Sequence, residues 1–190
     1  MIILLGGVSH TGKTYLAQQL LEKYNMPYLS LDHLKMGLIR GEVSCGFTID
    51  DSDIEIANRM WPIVKGMIET NIENGQHLII EGCYLPPDAV RALKVEHSSY
   101  ILETYIGFAD EYIAENFDNL ILAHRNIIEK RKYKEKRSIN DFTEEHAVMR
   151  TMCKNNSLKY FEVDSDYMNT INEVLAFLDG ELTTSFKNNI

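Results

Sequence analysis

At 190 residues the chain is long enough to bury a full hydrophobic core as one domain, without metal or disulfide staples. Apolar residues make up 45% and charged residues 25%, proportions that argue against disorder and against a fibre. A formal charge of −9 repels nucleic-acid backbones and anionic membranes, so a long nucleic-acid partner is not expected and any anion must be held locally.

In chain order, Ile2 to Leu5 reads as a strand running into Gly6-Gly7, and a helix is expected from Lys13 to Tyr24 with Leu16, Leu20 and Leu21 on one face. Pro27 stops that helix, and Tyr28 to Leu31 makes a short strand. Asp32 is suited to cap a helix reaching Arg40. Gly41 to Asp50 reads as a loop, and Asp51 to Asn74 as a long helix that Pro62 would kink. His77 to Glu81 is an inner strand, because Leu78-Ile79-Ile80 is continuous and apolar.

Pro86-Pro87-Asp88 opens the next helix. A strand follows at Tyr100 to Phe108 and a helix at Asp110 to His124. A helix from Phe142 to Asn155, a strand at Tyr160 to Val163 and a helix from Tyr167 to Leu178 complete the order, with a polar tail after Gly180 expected to fray. The alternation of strands and crossover helices predicts an α/β fold with a five-stranded parallel sheet. Cys45, Cys83 and Cys153 are odd in number and widely spaced, which suits reduced thiols in a cytoplasmic protein. Met1 to Leu5 lacks the basic flank of a signal peptide, and no apolar run approaches the roughly 18 residues of a membrane span.

Gly7-Val8-Ser9-His10-Thr11-Gly12-Lys13-Thr14 matches G-x-x-x-x-G-K-[ST] between an expected strand and an expected helix. The glycines let successive N–H groups point inward as an anion nest at the positive helix end. Ser9, His10 and Thr11 line that nest, Lys13 would reach the β- and γ-phosphates, and the Thr14 hydroxyl would ligate Mg²⁺. The implied cofactors are ATP and Mg²⁺. His10 is either a loop spacer or a group facing the acceptor. A guanine-reading N-K-x-D and a D-x-x-G switch are both missing from the sequence, which disfavours a GTPase. Glu81 stands where an aspartate usually ends the strand beside such a loop; it would hold a Mg²⁺ water, position an acceptor or serve as a hydrogen-bond partner.

The order of these elements resembles the P-loop kinases of small molecules, the group with the nucleoside monophosphate kinase, gluconate and shikimate kinase, zeta-toxin and 2-phosphoglycerate kinase folds. Besides the P-loop, Leu29-Ser30-Leu31-Asp32 leading to Arg40, and Ile79-Ile80-Glu81-Gly82 followed by Leu85-Pro86, resemble 2-phosphoglycerate kinase-like proteins most. The resemblance implies a P-loop NTPase three-layer sandwich over residues 1–190, a single domain with a lid insertion near 125–140.

Many of these kinases place a carboxylate just past the second strand to take the proton of the attacking hydroxyl, which gives Asp32 two candidate roles, general base or helix cap. Arg40 would clamp an acceptor phosphate or carboxylate, with Lys35 and Arg59 as further candidates. The stretch Arg125 to Arg137 is strongly basic in an otherwise acidic chain. It reads either as a solvated face or as a lid closing over the triphosphate. As a lid, it would use Arg125, Arg131 or Arg137 to stabilise the transferring phosphoryl, with Arg131 the first choice for catalysis and Arg125 also near the nucleotide base.

The leading expectation is an enzyme moving the γ-phosphoryl of ATP to a small-molecule hydroxyl or phosphate, 2-phosphoglycerate-like among the candidates. The alternatives are a kinase of nucleotides or nucleic-acid ends, and an ATP-binding regulatory protein with little or no turnover.

Overall fold

The computed structural model describes residues 1–41, 44–124, 128, 130 and 136–188. Among these residues, β1 (Ile2–Gly7), β2 (Tyr28–Ser30), β3 (Leu78–Glu81), β4 (Ile101–Phe108) and β5 (Tyr160–Val163) form one parallel sheet in the order β2-β3-β1-β4-β5. The helices are α1 (Lys13–Tyr24), α2 (Leu31–Arg40), α3 (Asp53–Glu73), α4 (Pro87–Glu96), α5 (Asp110–Asn116), α6 (Ile139–Asn155) and α7 (Tyr167–Asn188), with a π-helical segment, Phe117–Leu122, continuing α5.

Strand β1 explains the layering. All six of its residues are buried, and alternate side chains enter two different cores. Ile3 and Leu5 pack with Leu16 and Leu20 of α1 and Ile171 and Leu178 of α7, whereas Ile2 and Leu4 pack with Met60 and Val64 of α3 and Val90 of α4. A strand covered on both faces must be apolar on both, which is why the run is continuous rather than alternating. Each fully buried Ile or Leu contributes about 1.5–3 kcal/mol relative to exposure, so the two cores together outweigh any single helix propensity.

Several boundaries differ from expectation for local reasons. Ser30, still extended at φ −85° and ψ 124°, holds the N-cap position of α2, so Asp32 lies within the first turn and is not the cap. Helix α3 runs on through Pro62. Helix α6 starts three residues earlier than its apolar pattern suggests, because Ser138 and Asp141 form a capping box. Helix α7 continues past Gly180 to Asn188, anchored by the fully buried Leu182, so the tail that polarity alone would fray is helical.

β3 and β4 flank β1, with β2 reached by a crossover beyond β3. The chain therefore leaves β1 in one direction and later returns on its other side, opening a crevice at the carboxyl ends of the central strands. Register sets Leu5 beside Glu81 and Gly7 beside Ile106 at that edge.

α6 docks on the end of β4 through His146. This fully buried ring accepts the Phe108 N–H at Nδ1 (2.9 Å), and its centroid is 4.6 Å from that of Phe142. Burial, reinforced by the positive charges of Lys13 and Arg137, pushes the imidazole pKa down to about 3 from 6.5. Because the unfolded state binds the proton more readily, the contribution of neutral His146 is complete above pH 6.5 and is lost as pH falls toward 3. At pH 5 the loss amounts to about 2 kcal/mol. Urea unfolding at pH 7 and pH 5 should show this loss in the wild type and not in His146→Gln, which keeps an acceptor but does not titrate; equal losses would reject the assignment.

Candidate active site

The loop between β1 and α1 curls because its glycines permit it. Gly7 has φ +127°, and a Cβ there would stand 2.1 Å from the Ile106 carbonyl oxygen. Gly12, the N-cap of α1, has φ +87°, and a Cβ there would stand 1.8 Å from the Tyr167 hydroxyl. His10 also adopts a left-handed conformation, φ 67°, and its ring stacks on Phe142 at 6.1 Å. The loop's interior is held by side chains: the Thr11 hydroxyl donates to the Val8 carbonyl (2.9 Å), and Lys13 Nζ donates to the same carbonyl (2.7 Å) and to Thr11 Oγ1 (3.4 Å). A buried ammonium resting on loop oxygens is a ready partner for a phosphate delivered to the start of α1.

Beside it, the Thr14 hydroxyl donates to Glu81 Oε1 at 3.2 Å. Glu81 is buried at the end of β3, and both side chains line a cleft of about 470 Å³. Two adjacent hard oxygen donors of this kind fit Mg²⁺, which takes hydroxyl and carboxylate oxygens and keeps several waters. The other end of the cleft is more apolar, lined by Tyr15, Leu120, Ile121, His124, Tyr167 and Met168. Leu120 and Ile121 come from the π-helical segment, Tyr167 and Met168 from the start of α7, and Tyr15 from α1; sequence reasoning missed this wall, placing the base near Arg125 instead. The aromatic pair Tyr15 and Tyr167 was the available signal.

A second cleft, about 770 Å³, adjoins the first and shares Ser9, Asp32 and Cys83 with it. Lys35 Nζ lies 3.2 Å from Asp32 Oδ1 and also donates to the Tyr84 hydroxyl, which stands 3.5 Å from the same Oδ1. Burial and the carboxylates of Asp53 and Asp32 raise the Tyr84 pKa far above its ordinary value, so the phenol remains a donor. Burial likewise pushes the Cys83 thiol up to about 12, which leaves it a poor nucleophile.

Arg137 reaches the loop: Nη2 donates to Ser9 Oγ (2.6 Å), Nη1 pairs with Glu145 Oε2 (2.6 Å), and the guanidinium lies 5.2 Å above the Phe142 ring. The capping box that starts α6 fixes the chain one residue after Arg137, which explains how an arginine at the end of a basic run is directed inward. Arg125 and Arg131 lie outside the described residues. Arg40, exposed at the end of α2, and Arg59, exposed on α3 with Cδ 3.8 Å from where a Cβ of Gly46 would stand, line neither cleft. The anion clamp expected of them is not assembled here, because both project from the solvent sides of their helices.

No protein-family model matches the sequence, and no curated protein matches it. Solved structures do match in fold. Shikimate kinase from Acinetobacter baumannii, in complex with shikimate, superposes with a TM-score of 0.59 at 12% identity over 94% of this chain and 93% of that one. A gluconokinase from Sinorhizobium meliloti 1021 gives 0.55 at 12% identity over 98% and 94%. Shikimate kinase from Aquifex aeolicus vf5 gives 0.54 at 17% identity over 96% and 99%. The chain thus has the α/β fold of P-loop small-molecule kinases.

The crowding at Gly12 is directly measurable. Gly12→Ala should lower stability by about 1–3 kcal/mol, and adding Tyr167→Phe, which removes the oxygen in the way, should recover part of that loss. Thermal unfolding of the single and double variants measures both. No recovery in the double variant would mean that backbone strain, not the tyrosine, sets the glycine requirement.

Proposed function

We propose that the protein is a kinase that transfers the γ-phosphoryl group of ATP to a hydroxyl of a small molecule. One observation carries this reading: two clefts, one walled by the phosphate-binding loop and one by α2, α3, α4 and α6, meet at Ser9, Asp32 and Cys83. Donor and acceptor bound in adjoining clefts would bring their reacting atoms together at that junction, the arrangement in which positioning supplies most of the rate.

On this reading the loop N–H groups and Lys13 hold the phosphates, and the base packs near Tyr15 and Tyr167. Thr14 and Glu81 would hold Mg²⁺, which neutralises charge on the β- and γ-phosphates. Asp32 accepts the proton of the acceptor hydroxyl as its oxygen bonds to Pγ and the bond from Pγ to the bridging oxygen breaks, ADP leaving with the electron pair. Lys35 and Tyr84 orient Asp32. Arg137, joined by Arg125 and Arg131 from a lid near 125–140, stabilises the transferring phosphoryl. Residues 1–190 act as one domain in this scheme. The three free cysteines suit the reducing cytoplasm, and among the described residues no helix is long and apolar enough to cross a membrane.

Incubation with γ-labelled ATP, Mg²⁺ and fractionated metabolites, followed by identification of the labelled product, tests the reading. Lys13→Ala should abolish the ATP-induced rise in melting temperature while leaving the unliganded fold intact; equal stabilisation of variant and wild type would remove the loop from the mechanism. Asp32→Asn should cut kcat by about 10²- to 10⁴-fold with ATP affinity little changed. An unaltered rate in that variant would leave Asp32 as an orienting group only.

A further inference from the structure

The start of α6 carries more than its capping box. Ser138 is the cap, so Arg137 is the residue just before the helix and Phe142 the fourth within it. Two apolar side chains at these positions often pack together and fix the angle at which the chain enters a helix. Here the outer partner is a cation, the Arg137 guanidinium, which lies 5.2 Å above the Phe142 ring. Asp141 accepts both the N–H (2.9 Å) and the hydroxyl (2.8 Å) of Ser138, so backbone cap and side-chain staple hold the same corner.

The ring is itself fixed. Phe142 is fully buried, its centroid 4.6 Å from that of His146, 5.4 Å from that of Phe117 in an edge contact, and 6.1 Å from that of His10 in the phosphate-binding loop. His146 accepts the Phe108 N–H of β4, which ties this platform to the central sheet as well as to the loop. From the platform Arg137 extends one nitrogen to Ser9 Oγ (2.6 Å) and another to Glu145 Oε2 (2.6 Å). Ser9 lines both clefts, so the guanidinium stands at their junction, where the kinase reading puts the γ-phosphoryl. A ring attracts a cation without carrying net charge, so it sets the place of the guanidinium and leaves the charge for a phosphate. The Arg137 side chain is only 24% exposed, and partial removal from water strengthens this attraction.

We propose that Phe142 is a positioning residue for phosphoryl transfer: it holds Arg137 at the junction of the clefts, and through that arginine the protein prefers a nucleoside triphosphate to the diphosphate. The inference rests on the kinase reading above. The γ-phosphate is the group by which the two ligands differ, and Arg137 meets the loop where that group would lie. A guanidinium held by the protein's own groups loses little freedom when phosphate binds, so more of the contact appears as affinity. Once the γ-phosphoryl has passed to the acceptor, the contact no longer holds the diphosphate, which favours its release.

Calorimetric titration with Mg²⁺ and either ADP or a non-hydrolysable ATP analogue tests this without an acceptor. Phe142→Leu keeps an apolar side chain but removes the ring face. It should weaken binding of the ATP analogue about tenfold and that of ADP by less than about twofold. Arg137→Ala should behave likewise, and adding Phe142→Leu to it should change the preference no further, because the ring acts through the arginine. Arg137→Lys leaves the core untouched and keeps the charge but loses the flat face that stacks on the ring, so most of the preference should go with it. A wild type that binds both ligands equally, a preference unchanged in Phe142→Leu or Arg137→Lys, equal weakening of both ligands, or additive losses in the double variant each overturn the proposal and leave the kinase reading standing. A wild type that binds neither ligand overturns the kinase reading and this proposal with it.

Discussion

The approach of the loop backbone to the end of β4 is the constraint on which the rest of the site depends. At Gly7 the chain runs so close to Ile106 that any side chain would overlap the carbonyl oxygen, and at Gly12 the Tyr167 hydroxyl occupies the space a methyl group would need. Between these two contacts four residues, Val8 to Thr11, must turn back before α1 begins, with the Lys13 ammonium bonded to the Val8 carbonyl and the Thr11 hydroxyl. Everything else at the site, Glu81 on β3, Arg137 before α6 and Asp32 on α2, is arranged around that turn.

Charge is distributed with the same economy. In an acidic chain, the described cations near the junction of the clefts are engaged by neighbouring groups: Lys13 by the loop, Lys35 by Asp32 and Tyr84, Arg137 by Ser9 and Glu145. The first cleft is lined by Lys13 together with Glu81 and Asp32, whereas the described lining of the second holds seven carboxylates and two cations.

His146 shows how the fold protects this arrangement. The ring lies between Phe108 and Phe142, holding α6 against β4, and α6 carries at its start the arginine that meets Ser9. Burial keeps the imidazole neutral, so the joint is held by a hydrogen bond and aromatic packing, not by an ion pair.

The local chemistry of the chain was sufficient for the architecture. Continuous apolar runs marked the inner strands, because a strand covered on both faces has no polar side, and the glycines and lysine from Gly7 to Thr14 marked the loop, because only that pattern curls and then starts a helix. The position of Glu81 at the end of β3, and of Asp32 just past β2, was legible for the same reason. Tertiary structure decided what periodicity does not encode. It made Ser30 the cap of α2, carried α7 through Gly180 on the buried Leu182, turned Arg40 and Arg59 outward, and brought Arg137 to Ser9 across 128 residues of sequence. It also gathered carboxylates from four separate helices around one cleft. Each of those carboxylates reads in sequence as an ordinary helix-start or surface residue, and their common field exists only once the helices converge, because electrostatic energy depends on distance in space and not along the chain.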